Sequence, residues 1–500
     1  MEYLLNGTQM KAIDAVTINQ YGVPSLVLME RAALAVANRI QEIINEKDRI
    51  LVICTSGNNG GDGLAIARIL TIRGYEVDVL LAGNFDHSTK ENTKQLHMVQ
   101  QLGISVLNNA KISSYNIVVD AIFGIGLNKP ITGELAELVE MVNDSQSIVF
   151  SVDIPSGIHA GSGQILGCCI KADYTITFGY KKLGLLLYPG CEYGGTVFCE
   201  EVGFVPEAMK QATPTAFTYD ESDLDKIPKR PSRSNKGTFG KVLVIAGSPN
   251  MSGACYLSAK AAYRMGAGYV KIMTAKENRE ILQTSLPEAI LTTYDASTEK
   301  TELLKELQWA TVIVFGPGIG DAPIVETLLE LVVKNANVPV VLDADGLNLL
   351  AKRPDKEELL SHLSENFILT PHLMEMSRLN GKPVSEIRKD IFSVATEMVK
   401  GRNFTLVLKD ARTIVAKAGK QYVNSSGNHG MATAGAGDVL TGVIAGLLAG
   451  GMTSYEAACL GVYIHGLSGD CARIKLGAFS LMAEDIIGGI VDVLKNVDNN

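Results

Sequence analysis

The stretch Leu51–Arg68, LVICTSGNNGGDGLAIAR, runs from an apolar β-branched segment through a glycine-rich turn into a helix-forming segment. That succession is the building unit of a parallel α/β fold. Gly57, Gly60, Gly61 and Gly63 let the backbone approach a bound group closely, and the new helix presents N–H groups without intrahelical partners. The turn is neither the G-x-G-x-x-G of dinucleotide sites nor a P-loop, since no Lys-Ser/Thr follows it. Asn58, Asn59 and Asp62 add oxygens suited to a cation or a ribose. A polar turn without a ligand accounts for any two of these residues but poorly for the whole run 57–63.

The same alternation extends along the chain. Strands are expected at 50–54, 77–80, 117–120 and 148–152, with the near-continuous apolarity of strands covered on both faces. Helices are expected at 10–20 and 25–43, the second with Pro24 near its start. Between about 211 and 237 the chain becomes polar, with three prolines and a basic cluster, the composition of a linker and domain entry. A second series follows, with strands at 241–245, 311–315, 338–342, 367–369 and 404–408. Two α/β domains are expected, residues 1–215 and 237–500, joined by 216–236.

Five hundred residues exceed one ordinary core, and 46% hydrophobic content with 49 glycines fits a well-buried α/β protein. The net charge of −9 argues against nucleic acid as the main partner. A phosphorylated ligand must then be met locally, by loops and helix N-termini. No segment has the unbroken apolar length of a membrane span, and the start, MEYLLNGTQMKAIDAV, has no basic region ahead of an apolar core. The eight cysteines include Cys168-Cys169 but no C-x-x-C, and Cys54, Cys255 and Cys459 lie in apolar runs. Reduced buried thiols, a cytoplasmic location and no structural zinc are therefore expected.

Two later strand ends in the first half repeat the pattern of an acid before a turn: Asp120 in DAIFGIGL and Asp153 in DIPSG. Ligands of open parallel sheets bind at the carboxyl ends of strands, so three such loops converge on one crevice. Oxygen donors from Asn59, Asp120 and Ser156 suit an alkali or alkaline-earth ion better than zinc. Asp153 is the candidate acid/base.

In the second half, Gly427–Leu440 reads GNHGMATAGAGDVL, with an apolar helix expected from Val439. A carboxylate beside a phosphate is tolerable mainly when it has a task, such as deprotonating a hydroxyl that is being phosphorylated. Asp438 as the simple N-cap of a glycine-rich turn is the plainer alternative. Upstream, a strand and a glycine-serine loop lead into a helix from about Ser252, where small Ala254 leaves room for a flat ring. Close helix–sheet packing explains that alanine equally well. Other strand ends carry Gly316–Gly320, Asp343 with Asp345, and His372 with Glu375 one turn into a helix. Lys409 and Thr413 fall in a hairpin-like turn, where Lys409 meets either a nucleotide phosphate or water.

GNNGGDG, DAIFGIGL and DIPSG together resemble the NAD(P)H-hydrate epimerase domain over residues 1–215. The resemblance implies interconversion of the R and S hydrates NADHX and NADPHX beside a potassium ion. It implies substrate contacts from Asn58, Asn59, Gly60, Gly61 and Asp62, from Gly124, Ile125, Gly126, Leu127, Asn128, Lys129 and Pro130, and from Asp153. Potassium falls to Asn59, Asp120 and Ser156. Two departures stand out: Thr55 where a glycine is frequent, and Ile125 within the usual G-T-G.

The order SNKGTFG, GSPNMSGA, GPGIG, DADGLN, TPH, KDART and GNHGMATAGAGDVLTG resembles the ribokinase-like ADP/ATP-dependent NAD(P)H-hydrate dehydratases over residues 225–500. It implies Ala254, Gly318, His372 and Asp438 at the hydrated nicotinamide nucleotide. It implies Lys409, Asp410, Ala411, Arg412, Thr413 and Gly437 at the adenine nucleotide, with magnesium. In this order the two halves resemble the bifunctional NAD(P)H-hydrate repair family, with ADP as co-substrate and AMP as product. The implied fold is an N-terminal Rossmann-like three-layer parallel sandwich followed by a ribokinase-like α/β domain. A ribokinase-like small-molecule kinase carrying an N-terminal binding module is the alternative. A homo-oligomer is expected, with apolar helices at 25–43 and 455–472 as interfaces.

Overall fold

The computed structural model describes residues 1–498, and the chain forms two compact units, Glu2–Ala216 and Phe217 onward, with Met1 belonging to the latter. The N-terminal unit carries a parallel seven-stranded sheet ordered Ser105–Leu107, Glu76–Leu81, Arg49–Cys54, Ile117–Ala121, Ile148–Val152, Tyr174–Phe178, Thr196–Glu200. Ile50, Val52 and Cys54 pack with helices Ser25–Ile43 and Asn58–Ile72, whereas Leu51 and Ile53 pack with helix Glu134–Asn143. Alternate residues thus serve opposite faces, which makes three layers.

From Arg49–Cys54 the chain moves outward to Ser105–Leu107, then returns to Ile117–Ala121 on the other side. Such a reversal leaves a crevice between strand ends. Cys54 pairs with Ala121 and Asp120 with Ser151, so the loops after these strands emerge side by side. Gly63 is required where the first helix meets the sheet. A Cβ there would lie 2.4 Å from Ala121 Cβ and 2.8 Å from Cys54 Sγ.

The C-terminal unit repeats this logic. Its strands run Ile290–Tyr294, Tyr269–Ala275, Lys241–Ile245, Val312–Phe315, Val340–Leu342, Phe367–Leu369 and Thr405–Leu408, all parallel, followed by antiparallel Ile414–Lys417 and Lys420–Val423. Here the reversal lies between Lys241–Ile245 and Val312–Phe315, and the loops beyond them are bonded to each other, Ser248 N to Gly318 O at 2.6 Å and Gly247 N to Pro317 O at 2.9 Å.

Helix Ala436–Ala449 buries twelve of its fourteen residues. It lies against helix Ser252–Arg264 along a seam of small residues, where a Cβ on Gly442 would stand 2.2 Å from Ser258 O and one on Gly446 2.3 Å from Met265 Cβ.

Three expectations are corrected. The helix begins at Ala436, before Val439, because Gly435 takes a left-handed cap with φ 88°; Asp438 is in its first turn and is not the N-cap. The segment 216–236 is not plain linker, since it contains strand Ala216–Thr218 and the turn Glu221–Lys226. Helix Ser454–Leu476 buries most of its apolar side chains over residues 455–472 and exposes Ile474 and Leu476 beyond them, so 455–472 offer no broad interface, whereas Val27 and Leu34 of Ser25–Ile43 stand exposed.

The seam gives a stability prediction. Gly442→Ala is expected to destabilise the protein by about 1–3 kcal/mol. Gly488→Ala, in helix Ala483–Asp498 with open space around its Cβ, is expected to be neutral or to stabilise by up to about 1 kcal/mol. Urea denaturation of the two variants checks this.

Candidate functional site

At the N-terminal reversal lies a cleft of about 800 Å³. Asn58, Asn59, Asp62, Gly124–Lys129 and Asp153 line it, together with Lys11 and Asp14 of helix Gly7–Asn19. Gly60 and Gly61 are buried beneath the surface, and a Cβ on Gly60 would fall 1.8 Å from Thr55 O. Pro130 is exposed and outside the lining.

Both departures at this site have structural roles. Thr55 Oγ1 donates to Ile122 O at 2.5 Å, tying two of the three loops together. Ile125 packs on Leu5, Met10 and Ile13 while also edging the cleft. Fully buried Asn92 donates its amide to Thr55 O at 2.9 Å and Gly57 O at 3.0 Å, holding the glycine turn from behind.

Asp153 has φ 70°, a conformation rare for a residue with a side chain. Its Oδ1 accepts from Thr177 Oγ1 at 3.1 Å and Phe178 N at 3.3 Å, and is paired with Lys182 Nζ at 2.5 Å. Lys182 is fully buried and its Nζ also donates to Phe178 O. Asp62 differs. Among the described residues nothing donates a hydrogen bond to its carboxyl, and burial pushes that carboxyl well above the usual range, with Asp153 and Asp14 adding to the shift. Burial raises Asp14 as well.

Asp120 and Ser156 are buried behind the cleft. Asp120 accepts from Ser156 Oγ at 2.5 Å, Ser156 N at 2.9 Å, Ser151 Oγ at 2.8 Å and Ile122 N at 3.3 Å, yet burial still raises its carboxyl. Ser156 Oγ has a second acceptor, Phe123 O at 3.1 Å. The Asn59 side chain reaches toward Gly124, and its buried Nδ2 has no hydrogen-bond partner among the described residues.

In the C-terminal unit Ala254 and Gly318 face each other across the reversal, with 3.0 Å between Ala254 Cβ and the Cβ position of Gly318. Lys409 Nζ binds Asp343 Oδ1 at 2.7 Å, and Thr441 Oγ1 donates to Asp343 Oδ2 at 2.8 Å. Lys409 is thereby corrected. It is no turn lysine, but pairs as an isolated bridge with His372 and points into the acid cluster, 3.4 Å from the Cβ position of Gly437. Burial alone would lower it, but Asp343 and Glu375 hold it above its ordinary value. Asp410, Ala411, Arg412 and Thr413 form the turn itself, with Thr413 Oγ1 on Asp410 O at 3.2 Å and Arg412 Nη1 on Ser425 O at 2.9 Å.

Asp438 is pushed up to about 7 by burial and by Asp343, partly offset by Lys409. No hydrogen-bond donor reaches its carboxyl among the described residues, whereas its backbone carbonyl accepts from Ser258 Oγ at 3.0 Å. His372 caps helix Leu373–Asn380, with Nδ1 accepting from Met374 N and Glu375 N, and burial lowers its pKa. Its Nε2 lies 3.3 Å from Glu375 Oε1. Burial pushes Glu375 up to about 6.

Residues 242–491 match the family profile of NAD(P)H-hydrate dehydratase, and residues 25–184 match that of the YjeF-related protein N-terminus. A relative from Thermofilum pendens, named bifunctional NAD(P)H-hydrate repair enzyme Nnr, is 36% identical over 98% of this chain and 95% of its own. A relative of that name from Escherichia coli is 34% identical over 93% and 88%. The chain belongs to the bifunctional NAD(P)H-hydrate repair family. A ribokinase-like superfamily protein from Enterococcus faecalis V583 has 28% identity and a TM-score of 0.51, covering 56% of this chain and 96% of that one.

Sequence reasoning missed several residues in this repair-family chain. Lys182 sits in a short strand with no motif around it, and Asn92 lies in the first turn of helix Lys90–Gln101. His465, pushed down to about 4 by burial, meets Ala436 O at 3.0 Å and holds the start of the Asp438 helix. Thr441 had a detectable signature: it lies three residues after Asp438, one helical turn on.

Because Lys409 lowers Asp438, Lys409→Met is expected to raise the Asp438 pKa above about 7, read by carboxyl NMR titration. It also leaves Asp343 buried without its cation, a loss of about 3–5 kcal/mol measurable by denaturation.

Proposed function

We propose that the C-terminal unit dehydrates the S hydrate of NADH or NADPH with ADP, giving AMP and phosphate, and that the N-terminal unit interconverts the R and S hydrates. The observation that supports it most is Asp438. It is a carboxyl without a hydrogen-bond donor, in the first turn of a glycine-capped helix, pushed up to about 7. That environment makes a base suited to neutral pH beside N–H groups suited to phosphate.

Asp438 takes the proton of the C6 hydroxyl, and that oxygen attacks the terminal phosphoryl group of ADP. The N–H groups of Ala434–Gly437 hold the developing charge. The C6–O bond then breaks with phosphate as leaving group, pushed by the ring nitrogen, and loss of a C5 proton restores the dihydronicotinamide. Ala254 and Gly318, packed against each other, present only small groups on which the flat ring can rest, and His372 contributes its imidazole. Lys409 and Gly437 face the phosphates, with Asp410–Thr413 further along the nucleotide. In the N-terminal cleft, Asp153 exchanges a proton with the same hydroxyl as water leaves and returns. A small-molecule kinase would release a phosphorylated product instead, and membership in the repair family disfavours it.

For potassium, Asn59, Asp120 and Ser156 offer an all-oxygen set around one buried carboxylate, which fits a large monovalent cation. The set is compatible because the Ser156 hydroxyl can turn from Asp120 to Phe123 O, freeing a carboxylate lone pair. A bound potassium ion would supply fixed positive charge behind the cleft. For magnesium, no group of three or more acidic, histidine or cysteine side chains suited to a metal occurs among the described residues. A magnesium ion bound with the diphosphate would be held by phosphate oxygens and water and would offset their charge. No described helix is long and apolar enough to cross a membrane, consistent with a cytoplasmic enzyme of soluble nucleotides. For a homo-oligomer, helix Ser25–Ile43 offers the more exposed apolar face.

Asp438→Ala is expected to leave nucleotide binding nearly intact and lower dehydratase kcat by about two to four orders of magnitude, monitored as NADH absorbance regained from hydrate and ADP. A base must be ionised to act, and Asp438 is ionised above about 7, so kcat/KM should fall as pH drops below that value and level off above it. Asp153→Asn is expected to abolish epimerisation and leave dehydration of the S hydrate unchanged; an epimerase with wild-type rate would remove Asp153 from the mechanism.

A further inference from the structure

The N-terminal cleft holds two carboxyls in opposed settings. Asp153 stands at the end of Ile148–Val152, its charge compensated by buried Lys182 and two further donors. Asp62 stands in the second turn of helix Asn58–Ile72, lining the same cleft with no donor of its own. The strands that lead to them flank Ile117–Ala121 on either side, so the two acids approach the cleft from different walls. An ionised carboxylate without cation or donor is costly in such a place, and two neighbouring carboxylates resist being ionised together. Asp153 thus has a counter-charge in contact, and Asp62 has none among the described residues.

We propose that Asp62 is a second catalytic acid/base group of this cleft, the proton-bearing counterpart of Asp153, so that the hydroxyl is protonated from one wall and water is deprotonated from the other.

The step balances without an added reactant. Asp62 gives its proton to the C6 hydroxyl, the C6–O bond breaks, and the ring-nitrogen lone pair closes a C=N⁺ bond. Water then adds to the opposite face of C6, the electron pair returns to nitrogen, and the surplus proton passes to Asp153. The net change is inversion at C6 and one proton moved from Asp62 to Asp153. The opposite epimer runs the sequence backwards with the roles exchanged, and exchange with solvent also resets the pair. An epimerase needs this, because the group that is acid for one hand must be base for the other. The Lys182 contact holds the Asp153 side chain in place at its wall of the cleft.

Other charged groups face Asp62. Asp14 on helix Gly7–Asn19 raises it further, as does Asp153, while Lys11 of the same helix lines the cleft and the Cys54 thiol lies close behind. Asp14 is less buried than Asp62 and comes from outside the glycine turn, so it tunes the pair and does not form it.

The inference rests on the reading of Asp153 above, and the full-length chain tests both. Pure S hydrate of NADH without ADP is incubated with enzyme, and the R hydrate is followed by chromatographic separation. Asp62→Asn should lower epimerase kcat by about 100-fold or more with KM changed by less than about threefold. ADP-driven dehydration of the S hydrate, carried by the other unit, serves as the folding control together with the melting profile. Asp62→Glu should recover activity over Asn and displace the pH–rate limb. Epimerase kcat within about threefold of wild type in Asp62→Asn, or a change confined to KM, overturns the proposal. If Asp62→Asn loses its N-terminal melting transition, Asp62→Glu decides alone, and an unmoved pH limb overturns it. Wild-type activity in Asp153→Asn overturns the Asp153 reading instead, so the two failures are distinguishable.

Discussion

In each half of the chain a lysine is committed to an aspartate at the end of a parallel strand, buried Lys182 to Asp153 at 2.5 Å and half-buried Lys409 to Asp343 at 2.7 Å. Removing either partner would leave an uncompensated charge in a poorly solvated place. The arrangement also fixes which neighbour stays unpaired. Asp62 beside the first pair and Asp438 beside the second are each raised by burial and by the paired acid nearby. Environments that push two carboxyls apart separate acid from base. The two units reach this outcome with unrelated motifs around a shared sheet logic.

That logic is geometric. Parallel strands in register deliver their following loops to one edge, and a reversal of strand order leaves room between two of them. Glycines then decide how closely the loops and helices pack. Gly60 and Gly63 let the N-terminal helix sit on its strand, and Gly442 with Gly446 let the Asp438 helix sit on Ser252–Arg264.

The strands Ile148–Val152, Lys241–Ile245 and Phe367–Leu369 and the helix Ser25–Ile43 were legible to the residue, because continuous β-branched runs and a Pro-led amphipathic stretch leave few alternatives. Tyr174–Phe178, with alternating polar residues, and the edge strand Thr196–Glu200 were not. At the candidate sites the residues on glycine loops could be read, since Asp62, Asp153 and Asp438 interrupt local patterns. Their partners could not. Lys182 lies 29 positions from Asp153 and Asp343 lies 66 from Lys409, and no periodicity spans such separations. The contact of Lys409 with Asp343 is hidden for the same reason. The antiparallel hairpin was foreseen, but not that the parallel bridge to His372 turns the lysine inward.

The seam between helices Ala436–Ala449 and Ser252–Arg264 has a mechanical corollary. Backbone meets backbone there, and the Ser258 hydroxyl is fastened to Asp438 O. The wall bearing Ala254 and the wall bearing the acid consequently travel as a single rigid piece, and neither can slide or roll alone. Accommodation of a bulky dinucleotide falls instead to the loop 427–435 leading into the helix and to the Asp410–Thr413 turn. Tolerance for ligands of different size is set at the periphery, while the distance from base to ring is fixed by the scaffold.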